Sequence, residues 1–169
     1  SDGGPSVKSA AALFATLALA DRDVVRSSFF DALAFNVLVG GTDAHAKNYS
    51  LLLRGSRVAL APLYDVASYA PYLSKGEAAR SSMKMGRTWQ VRDLTAEDWA
   101  DVGISLGLDP DDALSRIERL RVGLPEALAA AADEAPEPFA GGARRVADAI
   151  ARQGHLKARH LPGATRRRG

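Results

Sequence analysis

Acidic, amide, imidazole and ammonium side chains occur together in one short stretch of this sequence. They are Asp43, His45, Lys47 and Asn48, followed after an apolar interval by Asp65. An amide oxygen and a carboxylate, with a second carboxylate nearby, suit a hard cation such as Mg²⁺, which keeps waters and binds one or two protein oxygens together with phosphates. These residue types therefore predict a metal–phosphate site, if the fold brings them together.

A loop and a β-hairpin are predicted to hold these side chains. Gly40 and Gly41 follow a long apolar run, as glycines do where a helix ends, so residues 40–48 are predicted to form a loop. Residues 49–53 and 58–61 are mostly apolar and lie on either side of a Gly-Ser turn, which is typical of two short antiparallel strands.

The predicted hairpin determines which residues meet at its open end. If the turn pairs Arg54 with Arg57, stepping outwards along the two strands places Asn48 opposite Leu63. Asp65 lies two positions beyond that partner. The hairpin should therefore bring Asn48 and Asp65 together as the two oxygen ligands of the cation.

The spacing of these residues resembles that of a protein kinase. In kinases a catalytic-base Asp is followed five residues later by an Asn, then by a hairpin and a second, metal-binding Asp. Here Asp43 and Asn48 are five residues apart, and Asp65 follows the hairpin. The triplet Tyr64-Asp65-Val66 lacks the Phe and Gly of the kinase Asp-Phe-Gly triplet.

Three sequence blocks resemble one family more closely, the HipA-type serine/threonine toxin kinases. The blocks are FNVLVGGTDAHAKN at 35–48, LAPLYDV at 60–66 and MKMG at 83–86. The resemblance extends over most of the chain, from Gly3 into the helical C-terminal half. It implies a mainly α fold, the helical C-lobe of a protein-kinase-like fold, in which a short β-hairpin carries the metal-binding residues.

The resemblance also implies a role for each candidate residue. Asp43 would be the catalytic base that orients and deprotonates the attacking protein hydroxyl. Asn48 and Asp65 would hold Mg²⁺ against the phosphates of ATP. His45 and Lys47 match catalytic motif positions, and Lys47 would neutralise phosphate charge. The reaction implied is transfer of the ATP γ-phosphate to a serine or threonine of a protein.

Several partners follow from the same resemblance. A kinase needs an N-terminal lobe with a glycine-rich turn between strands. About 40 residues precede the Asp43 loop here, and they carry no such turn. We therefore expect that lobe to precede this chain. The best-known toxins of the family phosphorylate an aminoacyl-tRNA synthetase and are neutralised by a helix-turn-helix antitoxin that binds DNA. We therefore expect contact with DNA only through the antitoxin.

Composition sets broad limits on the class of protein. The 169 residues are 47% apolar with a net charge of +2, which predicts a globular domain and is too small a charge to imply nucleic acid by itself. Cysteine is absent and no apolar run approaches about 20 residues, so we expect no disulfide, no membrane span and a cytoplasmic location. We assign 1–160 to the kinase lobe and 161–169 to a basic flexible tail.

Helical periodicity predicts the elements before the loop. Ser6 is a suitable N-cap for a helix over residues 7–19, and Asp21 or Asp23 for a second helix over residues 24–39. The second helix carries an apolar stripe and is predicted to be buried, so it would anchor the loop that follows it.

The remaining elements are predicted to be an irregular loop and several helices. Residues 67–80 form the loop, after which Met83 and Met85 return to the core, with Lys84 facing either phosphates or solvent. One helix is predicted between Thr95 and Gly107. The next begins at Pro110 and is predicted to be interrupted at Gly123 and Pro125. A loop over 136–142 precedes a final helix that contains Val146 and Ile150.

Two other functions are compatible with the sequence. Asp43-Ala44-His45 looks like the opening Asp-x-His of metal-dependent phosphoesterases, although the remaining histidines, His155 and His160, lie near the C-terminus. Alternatively, the chain is a non-catalytic helical lobe that binds a partner protein.

Overall fold

The structure is a computed structural model that describes residues 5–73 and 79–152. Within these ranges the helices are α1 Val7–Ala15, α2 Leu19–Val39, α3 Ala96–Leu106, α4 Pro110–Asp133 and α5 Ala140–Arg152. The strands are β1 Leu51–Arg54, β2 Arg57–Leu60, β3 Arg80–Met85 and β4 Thr88–Gln90, paired as two antiparallel hairpins, β1–β2 and β3–β4. The mainly α fold predicted from the sequence is confirmed.

α2 is the central element of the core. Its buried positions include Val25, Phe30 and Leu33, and it packs against α1, α3, α4 and strand β2. Phe30 meets Trp99 of α3 edge-on, with ring centroids 5.9 Å apart. Because α2 is enclosed on several sides, its C-terminal end has a defined position in the fold.

The first two helices have different bounds from those predicted. α1 begins at a capping box formed by Ser6, as predicted, but it ends at Ala15, four residues early. α2 begins at Leu19, five residues before the predicted start, so neither Asp21 nor Asp23 is its N-cap. The N-cap of α2 is Ala18, so the helix starts without a hydrogen bond from a capping side chain.

Asp21 instead connects α2 to the first hairpin. Its carboxylate is 2% exposed and accepts hydrogen bonds from Arg57 Nε at 2.6 Å and from the Val58 N–H at 2.9 Å. The hydrogen bond from Arg57, and then that from Val58, lower the pKa of Asp21 against the effect of its burial. The carboxylate therefore fixes β2 on the helix.

The register of the β1–β2 hairpin is the one predicted. Arg54 pairs with Arg57 and Leu51 with Leu60. The ladder continues one step outwards, where the Ala61 N–H donates to Ser50 O at 2.8 Å. The open end of this hairpin faces the loop that follows α2.

The predicted interruption of α4 at Gly123 and Pro125 is wrong, because the helix is continuous with Pro125 inside it. A proline inside a helix costs roughly 3 kcal/mol. Next to it, Leu124 is buried in a cluster with Leu38 of α2 and Ile150 of α5. Burial of this apolar face on two other helices offsets the cost, which local propensity alone does not reveal.

The other C-terminal predictions largely agree with the structure. α3 begins at Thr95 and ends at left-handed Gly107, as predicted. α5 begins at Ala140, inside the predicted loop, and buries Ile150 while Val146 is 39% exposed. The tail at 161–169 lies outside the described residues. Among the residues that are described, no helix is long and apolar enough to cross a membrane.

The second hairpin is attached to α3 through Asp98. Met83 and Met85 of β3 are buried, as predicted. Asp98 is 3% exposed and accepts hydrogen bonds from the Arg87 N–H at 3.0 Å and from Thr95 Oγ1 at 2.7 Å. Gly86 lies against it with φ +54°, and a Cβ at this position would lie 2.7 Å from Asp98 Oδ1 and 2.8 Å from its Cα.

We predict that Gly86→Ala lowers the free energy of unfolding by about 3 kcal/mol, because the new Cβ both strains the left-handed backbone and meets Asp98. Gly55→Ala is the matched control. Gly55 also has positive φ, at +59°, but nothing lies within 4 Å of its Cβ position. We expect this control to lose about 1 kcal/mol. Urea denaturation measures both; equal losses would contradict the proposed close approach of Gly86 to Asp98.

Candidate active site

The loop that carries Asp43 is attached to the end of α2 and to strand β3. α2 ends at Gly40, whose φ is +74°, and the Gly41 N–H donates to Asn36 O at 2.7 Å. A Cβ at Gly41 would lie 2.8 Å from Asn36 Oδ1, so the second glycine is required for this close approach. From the other side, Ser82 Oγ donates to Thr42 O. The loop is therefore held near its start from two sides.

The residue after Asn48 anchors the other end of the loop. The Tyr49 hydroxyl accepts a hydrogen bond from Asn36 Nδ2 at 3.1 Å, and its ring packs edge-on against Phe29 with centroids 4.9 Å apart. Burial raises the pKa of Tyr49 to about 12, with the Asn36 hydrogen bond acting in the opposite direction. Tyr49 is therefore a neutral, structural phenol that fixes the backbone beside Asn48.

Asn48 and Asp65 lie next to each other, as the hairpin register predicts. Asn48 is 6% exposed, and its Nδ2 donates to Asp65 Oδ2 at 3.3 Å and to Asp43 O at 3.4 Å. The carboxylates of Asp43 and Asp65 are on exposed residues. The structure thus brings together the Asn48 amide, the Asp65 carboxylate and the main chain of Asp43.

His45 and Lys47 occupy different environments on the same loop. His45 is half-buried, and its main-chain N–H donates to Asp43 O at 2.7 Å. Its imidazole Nδ1 is buried without a hydrogen-bond partner in the described part of the chain. Lys47 is exposed in the short 3₁₀ turn Ala46–Asn48. The His45 backbone shapes the Asp43 turn, while the Lys47 ammonium is accessible from solvent.

The segment after Asp65 is joined to the end of α2, which the sequence analysis did not anticipate. Ser68 Oγ donates to Val39 O at 2.6 Å, and the Tyr69 N–H donates to Gly40 O at 3.0 Å. These bonds satisfy carbonyls that the end of a helix leaves without partners. A serine two residues before a proline-containing turn has no distinctive sequence signal, so only the tertiary structure shows the contact.

Comparison with known proteins identifies the family. Residues 2–128 match the family model described as the HipA-like C-terminal domain. This chain belongs to the HipA-like C-terminal domain family. The resemblance recognised in the sequence is therefore confirmed.

Two similar proteins of Sinorhizobium fredii carry kinase names. "Putative kinase Y4mE" is 29% identical over 159 residues, which cover 92% of this chain and 37% of that protein. "Putative kinase Y4dM" is 31% identical over 100 residues, covering 56% of this chain and 24% of that protein. This chain therefore spans only about a third or less of the length of these relatives.

The fold is shared with a solved toxin–antitoxin structure. It is a Shewanella oneidensis MR-1 complex of HipA, HipB and operator DNA from a toxin–antitoxin system. The matched chain has 23% sequence identity and a TM-score of 0.72, with 89% of this chain and 34% of that chain covered. The similarity establishes a shared fold for this HipA-like domain.

The residues of the HipA-like domain that lie next to each other fit a Mg²⁺ ion. An amide oxygen and a carboxylate are hard oxygen ligands, and Mg²⁺ commonly takes only one or two from the protein. The Asn48 amide now presents its nitrogen to Asp65, and a half-turn of the amide would present its oxygen instead. In the described part of the chain, no group of three or more His, Cys, Asp or Glu side chains is arranged for a metal. Waters and phosphates would therefore complete the coordination.

Lys84 lies apart from this pair. It lines a cavity of about 480 Å³ together with the start of α1 and one side of α3, including Lys8 and Asp101. Neither Asn48 nor Asp65 lines this cavity. Lys84 was predicted to face either phosphates or solvent. The structure favours solvent, because Lys84 is exposed and lines a cavity that does not include Asn48 or Asp65.

Asp65 has φ +56°, the only positive value among non-glycine residues of the described chain. Asn tolerates this left-handed conformation at least as well as Asp, whereas Ala does not. We therefore predict that Asp65→Asn changes the free energy of unfolding by less than about 0.5 kcal/mol, and that Asp65→Ala lowers it by about 1 kcal/mol. Urea denaturation of both variants tests this; an alanine variant as stable as the asparagine variant would contradict it.

Proposed function

We propose that this domain is the C-terminal catalytic lobe of a HipA-like serine/threonine kinase that transfers the γ-phosphate of ATP to a protein hydroxyl. The observation that carries the proposal is the hydrogen-bonded set around Asn48, whose amide contacts the Asp65 carboxylate and the main chain of Asp43. Membership of the HipA-like family and the kinase names of two relatives support it.

In this proposal Asp43 is the catalytic base. Its residue is exposed on a loop that is held by α2 and β3, so a protein hydroxyl can approach the carboxylate without rearrangement of the core. Phosphoryl transfer depends mainly on positioning and on stabilisation of charge, so a fixed loop with a free carboxylate is suited to orient and deprotonate the attacking hydroxyl.

Asn48 and Asp65 would hold Mg²⁺, which neutralises phosphate charge and polarises the transferred group when bound. Lys47 is exposed on the turn that ends at Asn48, and its ammonium would add positive charge beside the phosphates. His45 acts through the loop, because its main-chain N–H holds the Asp43 carbonyl. The roles of all five residues are part of the proposal.

We propose that the complete protein contains an N-terminal kinase lobe before this domain, since the matched residues cover only 37% of Y4mE. A toxin–antitoxin role is supported by the HipA–HipB–operator structure that shares the fold. We propose that a DNA-binding helix-turn-helix antitoxin neutralises the protein. We also propose that its substrate is another protein, with an aminoacyl-tRNA synthetase as the first candidate to test.

A phosphoesterase is less well supported by the geometry. A two-metal centre needs several His, Asp or Glu ligands around each ion. Asp43 and His45 are joined through the backbone, and the His45 Nδ1 atom contacts no polar partner within the described ranges. The kinase proposal accounts for the contacts of Asn48 with Asp65 and Asp43, whereas a phosphoesterase mechanism does not use them.

Removal of the Asp65 charge tests the metal–phosphate half of the site. We predict that the complete protein binds Mg²⁺-ATP and that Asp65→Asn weakens binding at least about tenfold, because a charged ligand is lost. Isothermal titration measures this, with Asp23→Asn as the control for an exposed carboxylate on α2. Equal affinity in the Asp65 variant and the wild type would exclude Asp65 as a ligand.

Removal of the Asp43 carboxylate tests the chemistry. We predict that Asp43→Ala in the complete protein lowers the rate of phosphoryl transfer by roughly 10²- to 10⁴-fold, because the general base is lost. Its free energy of unfolding should remain within about 0.5 kcal/mol of wild type, since the side chain is exposed. Transfer of radiolabelled phosphate to a protein acceptor measures the rate, and a fully active variant would rule out Asp43 as the base.

A further inference from the structure

A chain of hydrogen bonds crosses the open end of the β1–β2 hairpin. The Tyr64 hydroxyl donates to Lys47 O at 2.8 Å and lies 2.7 Å from Ser50 Oγ. A phenol has one proton, and the Lys47 carbonyl can only accept. Ser50 must therefore donate to Tyr64, and the chain runs in one direction from Ser50 through Tyr64 to Lys47.

These hydrogen bonds join the two segments that carry the proposed cation ligands. Lys47 immediately precedes Asn48, and Tyr64 immediately precedes Asp65. The last backbone hydrogen bond described between the two strands of the hairpin runs from the Ala61 N–H to Ser50 O. The Tyr64 phenol therefore joins the two segments beyond the last of these backbone bonds.

The direct contact between Asn48 and Asp65 is too long to fix their separation alone. Its 3.3 Å lies beyond the usual range for a hydrogen bond from N–H to O. In addition, Asp65 has a sparsely populated left-handed backbone, which persists only when its surroundings hold it. The hydroxyl of the adjacent Tyr64, with its two shorter bonds, supplies such a restraint.

We propose that Tyr64 is a positioning residue, whose hydroxyl sets the separation of Asn48 and Asp65 and thereby the affinity of the site for a divalent cation with nucleotide phosphates. Tyr64 does not itself contact the reacting groups. The proposal rests on the proposed function, because it assigns Asn48 and Asp65 as ligands. It adds a requirement that the motif residues alone do not include.

The test is Tyr64→Phe in the complete protein, which keeps the ring and removes the hydroxyl. The Mg²⁺ concentration for half-maximal phosphoryl transfer at saturating ATP should rise about tenfold, because two hydrogen bonds that preorganise the ligands are lost. At saturating Mg²⁺ the kcat should stay within about twofold of wild type, since Asp43 is untouched. A residue with only a structural role would lower stability without this separation of the two parameters.

Two further variants are matched to this one. Ser50→Ala removes one bond of the chain and leaves the bond from Tyr64 to Lys47, so the Mg²⁺ requirement should rise by only about two- to threefold. Tyr72→Phe removes the hydroxyl of a tyrosine that is 80% exposed, and it should change nothing. An unchanged Mg²⁺ requirement in Tyr64→Phe, or an equal change in Tyr72→Phe, would overturn the proposal.

Direct binding of Mn²⁺ in place of Mg²⁺, followed by electron paramagnetic resonance with ATP present, separates this proposal from the kinase assignment. If wild type binds Mn²⁺ but transfers no phosphate, the proposed function fails, and about tenfold weaker Mn²⁺ binding by Tyr64→Phe would still uphold the positioning role. If wild type transfers phosphate and Tyr64→Phe binds Mn²⁺ equally well, only the positioning role fails. If wild type binds no Mn²⁺, both fail.

Discussion

The burial of α2 is the constraint on which the rest of this domain depends. The helix is enclosed by α1, α3, α4 and the first hairpin, and its last turn is closed by Gly40 in the left-handed conformation. Because a buried helix end must satisfy its free carbonyls, neighbouring segments are drawn to it. Ser68 and Tyr69 supply two of those donors, and Gly41 supplies a third. The same contacts that complete the helix thereby position both halves of the candidate site.

The first hairpin is the second fixed part of the site. Its tip is attached to α2 by the buried carboxylate of Asp21, and its open end is joined by Tyr64 to the turn before Asn48. Between these two attachments the strands show one uniform register. A hairpin restrained at both ends can hold an amide and a carboxylate at a fixed separation, which a hairpin on its own, marginally stable in water, would not do.

The candidate site combines rigid main chain with exposed functional groups. Asn48 is buried, whereas Asp43, Lys47 and Asp65 are exposed and joined to the core chiefly through their backbones. This arrangement suits phosphoryl transfer, in which the protein contributes position and charge more than covalent chemistry.

Several features of this protein follow from local sequence, because their physical causes are local. The hairpin register follows from the Gly-Ser turn, and the ends of α2 and α3 follow from Gly40 and Gly107, which adopt left-handed conformations at little cost. The meeting of Asn48 and Asp65 follows in turn from that register. The three sequence blocks at 35–48, 60–66 and 83–86 were likewise sufficient to recognise the family.

Other features depended on contacts between residues distant in sequence. Asp21 reads locally as a helix cap, but a strand 36 residues away takes its carboxylate. Pro125 reads as a helix break, but the burial of Leu124 between two other helices keeps α4 continuous. In the sequence, Tyr64 has no distinguishing feature beyond its place beside Asp65. Only the folded hairpin shows that its hydroxyl donates to the Lys47 carbonyl. Local propensities amount to about 1 kcal/mol or less for most residues and about 3 kcal/mol for proline, and tertiary burial and hydrogen bonding outweigh them at these positions.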